Sequence, residues 1–313
     1  MKRFFVDFLI IKFQCFTFFL SLYQNLLNLY MSYQFTREYL IQIAHDTLNV
    51  LKNKNYTVNE KTIDLSQPIE NSVNGTILYP PESSFDSQIH PLEQKRQGKI
   101  VFTNETTTNA VIRLKKELNT PEEDIVALNF ASARTPGGAY LRGTKTQEES
   151  LARQTTLIAS IQQEKTRKMY EYNATLQGPL YSDYMIYTPG AVVFRDDNLK
   201  YLPEPVSTSI ITSAAANLRF MRDEDTMEEV HQTMIQRIRK ILQIAILNNN
   251  KTIVLGAFGC GYFANDPYDV ANFFKKILID EKYIDFFDQV IFAIIGRGDN
   301  LDVFKEVFNV NNE

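Results

Sequence analysis

Residues 124–154, DIVALNFASARTPGGAYLRGTKTQEESLARQ, pass from an apolar run of strand length through a glycine-rich turn into a helical pattern that opens on two adjacent glutamates. The same alternation recurs along the chain. From Lys99 onward KIVFT, DIVALNFAS, DYMIYTPGAVVF, STSIITSAA, KTIVLGAFG and QVIFAIIG have strand length, and β-branched or aromatic residues dominate most of them. Between them Leu151, Leu157, Ile158 and Ile161 predict one helix. Ile235, Ile238, Ile241, Leu242 and Ala245 predict another at the 3.6-residue period, and DPYDVANFFKKIL a third that opens on aspartate and proline. Nearly continuous apolar strands bury both faces of their sheet, so the fold class is α/β with helices on either side.

The 313 residues are 44% apolar and 22% charged, enough for one main core in a globular protein. A net charge of −4 and a pI near 5.6 give no overall attraction to nucleic acid or anionic membrane, so neither is an expected partner. Cys15 and Cys260 form no disulfide framework or zinc pattern, and a reducing compartment fits them. His45, His90 and His231 lie far apart with no second ligand at metal spacing, so no metal is expected. Basic residues are dispersed, without a nuclear-localisation cluster, and the expected compartment is cytoplasmic, nuclear or both.

Residues 1–30 stand apart. Lys2 and Arg3 before an apolar run resemble a signal peptide or anchor, but Asp7 and Lys12 interrupt the run and no small-residue cleavage site follows. Met31 begins an ordinary amphipathic helix over roughly 34–53, so translation is expected to start there. Residues 53–96 are polar and turn-rich and read as an irregular connection. The expected division is an extension at 1–30, a helix with an irregular accessory segment at 31–98, and the core at 99–313.

In such a sheet, ligands gather beyond the carboxyl ends of the strands. Two glycine-rich segments sit there, ALNFASARTPGGAYLRG and VLGAFGCGYFAND. In the second, Gly256, Gly259 and Gly261 can bring backbone N–H groups to a diphosphate, or they can simply make tight turns. Its G-x-x-G-x-G spacing is not the G-x-G-x-x-G fingerprint of nicotinamide-binding domains. Gly259→Val is expected to weaken binding in a protein that still folds. Cys260 has no histidine near it in sequence and is read as a small inward-pointing side chain, not a nucleophile.

The glutamates limit the chemistry. Neighbours on a helix diverge by about 100°, so Glu148 and Glu149 are not expected to face the same atom; one would catalyse and the other orient or bind. They cannot straddle a sugar as the two carboxylates of a standard glycosidase do, at roughly 5 to 9.5 Å. A single glutamate can protonate a leaving hydroxyl and then deprotonate a water, provided another anion stabilises the cation between the steps. Its pKa is expected to be raised by partial desolvation. A diphosphate beside the reacting sugar is such an anion, which points to a ribosyl bond in an ADP-ribose-type molecule.

GGAYLRGTKTQEE resembles the triple-glycine, spacer, Q-E-E signature of poly(ADP-ribose) glycohydrolases, and NFASARTPGG, VFTNETT, MIYTPGAVVFRDD and VLGAFGCGYFANDP are similar to the compact microbial type. The resemblance spans nearly the whole chain after the N-terminus. It implies a macrodomain-like three-layer α/β/α fold with a mixed sheet and an N-terminal helical extension. It also implies hydrolysis of ribose–ribose bonds in poly(ADP-ribose), a part in reversing ADP-ribosylation and in the DNA damage response, and no cofactor. By motif position Glu149 is the acid/base and Glu148 binds ribose hydroxyls. Gly137, Gly138, Ala139 and Gln147 line the scissile bond and phosphates. Gly256, Ala257, Phe258, Gly259, Cys260, Gly261, Tyr262 and Phe263 form the second diphosphate loop, with Phe263 packing on a ribose. Asn129 and Ser132 are candidates for the distal ribose or for capping the loop, and Glu105 for the adenine. Partners would be the polymer and ADP-ribosylated proteins, met by a monomer. Ala139 departs from the third glycine, and a positive φ there would weaken activity while binding survives.

The readings set against this one are a non-catalytic ADP-ribose reader, a nicotinamide-dependent oxidoreductase and a carbohydrate glycosidase. A reader needs no acid in the QEE position, an oxidoreductase needs an early glycine fingerprint, and the absence of tryptophan removes the usual sugar platform.

Overall fold

The computed structural model describes residues 35–90, 94–296 and 299–310, so the N-terminal extension at 1–30 lies outside the described residues. Helix α1 (Arg37–Asn53) opens on Thr36, whose hydroxyl accepts from the Tyr39 N–H. The next stretch, read above within 31–98 as irregular, is ordered. It forms the hairpin β1 (Asn55–Val58) and β2 (Lys61–Asp64), helix α2 (Ser66–Gly75) and strand β3 (Ile77–Tyr79). These elements are too short and polar for periodicity to register; packing makes them. Tyr56, Leu65 and Ile69 bury themselves against Val192 and Phe194 of the core, and β3 pairs with the core sheet at Met185–Tyr187.

Then come β4 (Lys99–Thr103), α3 (Thr107–Lys116), β5 (Ile125–Phe130), α4 (Gln147–Gln154), α5 (Leu157–Ile161) and α6 (Glu164–Thr175). The chain ends through β6 (Met185–Arg195), β7 (Tyr201–Ser213), α7 (Met227–Leu247), β8 (Thr252–Leu255), α8 (Pro267–Lys275), β9 (Gln289–Ala293) and α9 (Asn300–Val307). Seven strands make one mixed sheet in the order β3-β6-β7-β5-β8-β9-β4, antiparallel at β3-β6-β7 and parallel across the rest. Side chains alternate along each central strand. Val126, Leu128, Ile253, Leu255, Val290 and Phe292 meet α7, α8 and α9 on one face. Ile125, Ala127, Val254 and Ile291 meet α3 on the other. That alternation, with both faces apolar, makes the three-layer α/β/α sandwich expected from the sequence.

The helix expected to run from Leu151 through Ile161 is two helices. Between α4 and α5 Thr155 is extended (φ −133°, ψ 169°) and bridges Val193, while Thr156 exchanges backbone and hydroxyl hydrogen bonds with Val192. Two successive β-branched residues favour the extended conformation, and β6 supplies the partners. Helix α8 starts as expected: Asp266 accepts from the N–H groups of Tyr268 and Asp269, with Pro267 in the first helical position.

Candidate active site

The carboxyl end of β5 feeds the first glycine loop, and the loop turns back on α4. Gly137 (φ 75°) and Gly138 (φ 61°) adopt left-handed conformations that make this turn possible. Ala139 does not: its φ is −103°, so the alanine in the third-glycine position carries no backbone strain. The loop's N–H groups are spent inward. Ser132 donates to Glu148 Oε2 at 2.7 Å, Gly137 to Glu148 Oε1 at 3.2 Å, and Ala139 to Glu149 Oε1 at 2.8 Å. Thr146, the residue before α4, bonds the other oxygen of Glu149 through its hydroxyl. The first loop thus holds both carboxylates through its backbone N–H groups.

The two glutamates do face one point, contrary to the helical-divergence expectation. A Cβ on Gly138 would lie 2.4 Å from Glu149 Oε1 and 2.9 Å from Glu148 Oε2. Divergence at the backbone is undone by the reach of the long side chains and by the loop N–H groups that draw them together. Both are almost wholly buried. Burial pushes the Glu148 carboxyl from its ordinary 4.5 to about 8, opposed by the Ser132 N–H and reinforced by the neighbouring Glu149 charge. Below the pair lie Arg153 and Tyr170. Burial lowers Arg153 to about 10, which leaves it charged at neutral pH, and the Glu149 carboxyl beside it opposes that shift.

Other expected site residues have protein partners of their own. Gln147 braces the loop: its Oε1 accepts from Phe130 N at 2.9 Å, and its Nε2 donates to Leu128 O at 2.7 Å and Thr107 Oγ1 at 3.1 Å. It completes the edge of β5 where β8, paired only as far as Ala127, stops. Ser132 Oγ accepts from the N–H groups of Arg134 and Thr135, so it caps the loop. Asn129 is wholly buried and donates to Glu148 at 3.4 Å and to Thr212 at 3.3 Å, while its Oδ1 has no donor among the described residues. Glu105 sits beyond β4, its carboxylate clasped by Nε and Nη2 of Arg113 at 2.7 to 3.2 Å and by Asn109.

The second loop faces the first across the sheet's carboxyl ends. The Phe258 side chain is core, fully buried against Phe130. Cys260 packs inward and burial pushes its thiol up to about 12, so it is no nucleophile at neutral pH. Gly259 is demanded by the fold. Its φ is 81°, and a Cβ there would lie 2.6 Å from both Ala215 and Asn265. Gly259→Val would therefore disturb the loop itself, contrary to the expectation of a folded variant. Gly261 meets nothing within 4 Å. Asn265 ties the loop down by donating to Ala216 O and Gly259 O. Among the described residues, the N–H groups of Gly259, Gly261, Tyr262 and Phe263 have no protein acceptor. Converging free N–H groups make an anion site.

The chain aligns with a solved poly(ADP-ribose) glycohydrolase from Thermomonospora curvata at 34% identity over 87% of its own length and 100% of the relative, with a TM-score of 0.82. It belongs to the poly(ADP-ribose) glycohydrolase family. The model for the catalytic domain of microbial-type enzymes matches residues 44–196, which include the first loop and both glutamates. The T. curvata enzyme bound to the inhibitor ADP-HPD is 35% identical, with 86% and 99% of the two chains covered and a TM-score of 0.78. The enzyme from Deinococcus radiodurans in complex with ADP-ribose is 32% identical, with 77% and 96% covered and a TM-score of 0.70. No similar sequence is found among curated proteins.

Sequence reasoning about this glycohydrolase missed Thr146, Arg153, Tyr170 and Asn265. Only Thr146 left a signal, since Thr-x-x-Glu before a helix is a capping pattern. The proton on Glu148 has a consequence for stability. The folded glycohydrolase holds a proton that the unfolded chain releases above about 4.5, so this contribution is full below that pH and is lost as pH rises through about 8. Urea unfolding at about pH 5 and about pH 8.5 should show the parent losing stability relative to Glu148→Gln, on the order of a few kcal/mol. Parallel profiles for the two proteins would refute the shift.

Among the described residues of the glycohydrolase, no helix is long and apolar enough to cross a membrane.

Proposed function

We propose that this glycohydrolase cleaves ribose–ribose bonds in poly(ADP-ribose) and releases ADP-ribose, with Glu149 carrying the proton. The observation that carries the assignment is the convergence of both carboxylates on the empty Cβ position of Gly138. Only one face of a sugar can be served from there, which rules out a straddling carboxylate pair and leaves one acid/base. The two carboxyls are coupled and hold one proton between them near neutral pH; from Glu149 that proton passes to the glycosidic oxygen of the departing ribose, and Glu149, then a carboxylate, takes one back from the attacking water. Glu148 and the unpaired Asn129 Oδ1 accept ribose hydroxyls, and the free N–H groups of Gly259, Gly261, Tyr262 and Phe263 hold the diphosphate, whose charge stabilises the ribosyl cation. The chain would act as a monomer on the polymer and on ADP-ribosylated proteins, and the reaction as drawn calls for no cofactor.

Incubation of the protein with automodified polymer should release free ADP-ribose; none released over hours at micromolar protein would sink the assignment. The cradle is tested separately. Gly261→Val places a side chain where the protein offers no contact within 4 Å, so the fold should be untouched. Calorimetry should show ADP-ribose affinity falling by about tenfold, as expected when ligand approach is blocked at one side of a pocket. Undiminished affinity would place the diphosphate elsewhere.

A further inference from the structure

Along the rim of the two loops runs a ring of arginines and aromatics whose side chains, Phe263 apart, the chemistry above does not use. Arg134, in the first loop, stacks its guanidinium on Tyr181 at 5.4 Å and on Phe220 at 5.5 Å. Arg219 stacks on Tyr262 of the second loop at 4.6 Å and donates to its carbonyl. Tyr181 and Tyr262 each lean on Phe263, at 6.2 and 6.3 Å. Tyr181 sits at φ 57°, a left-handed conformation that an aromatic residue takes up only at a cost, and strain of that kind is retained where geometry matters. Phe220 is 46% exposed and Tyr262 66%, although each lies within reach of a packed core. Among the described residues neither Arg134 nor Arg219 has a carboxylate partner, whereas Arg113, Arg195, Arg237 and Arg239 all do.

We propose that this rim is a second subsite, which takes the adenosine diphosphate part of the neighbouring unit of the polymer. The inference rests on the function assigned above. A ribose–ribose bond over Glu149 joins the bound unit to the adenosine ribose of the next, so the next adenine and its diphosphate emerge past the first loop, where Arg134 stands. The rim offers what that fragment needs: flat π-surfaces for a purine and guanidiniums whose charge no carboxylate neutralises, since Arg134 is steadied by the carbonyls of Asn173 and Leu176 and Arg219 by that of Tyr262. Charge selects the occupant. The protein as a whole is acidic, so two cations without a carboxylate partner at the mouth of its site select a polyanion at short range. The subsite raises affinity for polymer over free ADP-ribose, since the product reaches only the inner site.

The test uses the full chain with Glu149→Gln, so that oligomers survive, and compares ADP-ribose with a purified ADP-ribose trimer by calorimetry. Phe220→Ala should weaken trimer binding by at least about fivefold, the low end for losing a base stacked on a ring, and leave ADP-ribose binding within about twofold. Phe220→Tyr keeps the ring and should restore the trimer affinity. Arg219→Gln should lower the salt dependence of trimer binding alone. An unchanged ratio of trimer to ADP-ribose affinity in both Phe220→Ala and Arg219→Gln overturns the subsite while the inner site stands. Failure of the parent to bind either ligand overturns the functional assignment, and the rim with it.

Discussion

Glu149→Gln is expected to lower poly(ADP-ribose) hydrolysis by at least about 100-fold, the lower bound for losing a positioned acid or base, with ADP-ribose affinity nearly unchanged. Glutamine keeps the size of the side chain and can still accept from the Ala139 N–H, which holds Glu149 Oε1 at 2.8 Å. What it cannot do is give up and recover a proton. A loss confined to turnover, measured as released ADP-ribose under single-turnover conditions, would mark an interaction made only in the transition state. Glu148→Gln should differ, raising KM as well, because Glu148 is held by Ser132, Gly137 and Asn129 and its proposed role is to accept a ribose hydroxyl. Near-parental turnover in Glu149→Gln, with collapse in Glu148→Gln, would exchange the two roles. The raised carboxyl of Glu148 gives that outcome a definite physical route.

Gly138→Ala is the second large effect, and it separates carboxylate placement from substrate contact. The new methyl would have to occupy a point 2.4 Å from Glu149 Oε1 and 2.9 Å from Glu148 Oε2 at a backbone φ of 61°. Both carboxylates must swing aside, or the loop must open. Misplacement by about 1 Å costs on the order of 100-fold in rate, and the left-handed alanine adds about 1 to 2 kcal/mol of instability. Activity should therefore fall at least about 100-fold in a protein that melts only a few degrees lower. Ala139→Gly is the control. At φ −103° the alanine is already relaxed, so glycine there should leave turnover within about threefold. Full activity in Gly138→Ala would show that the carboxylates need not converge there.

The arrangement of this site was only partly legible in the chain. Apolar runs flanking DIVALNFAS and KTIVLGAFG specified a sheet buried on both faces, because such strands have no polar side to turn outward. The two glycine loops followed from the rule that ligands gather at the carboxyl ends of those strands, and QEE marked a helix start beside one of them. Local chemistry reached that far. It did not reach the brace that Gln147 makes across the end of β5, or the turn of the Phe258 side chain into the core. The hairpin, α2 and β3 between residues 55 and 79 escaped detection for a related reason: short polar segments become regular only when a core receives their few apolar side chains.

Tertiary structure alone decided which loop holds what. Both loops are rich in glycine, and sequence treats each as able to cradle phosphate. Folding brings α4 back under the first loop, so N–H groups of Ser132, Gly137 and Ala139 meet Glu148 and Glu149 and are consumed there, while those of Gly259, Gly261, Tyr262 and Phe263 in the second loop find no acceptor among the described residues. The sign of φ at position 139 was likewise open, since alanine is tolerated or strained according to a turn that the whole loop closes. Residue identity sets which hydrogen-bonding groups a loop carries; their partners are set by elements distant along the chain, and that pairing leaves no periodic mark in the sequence.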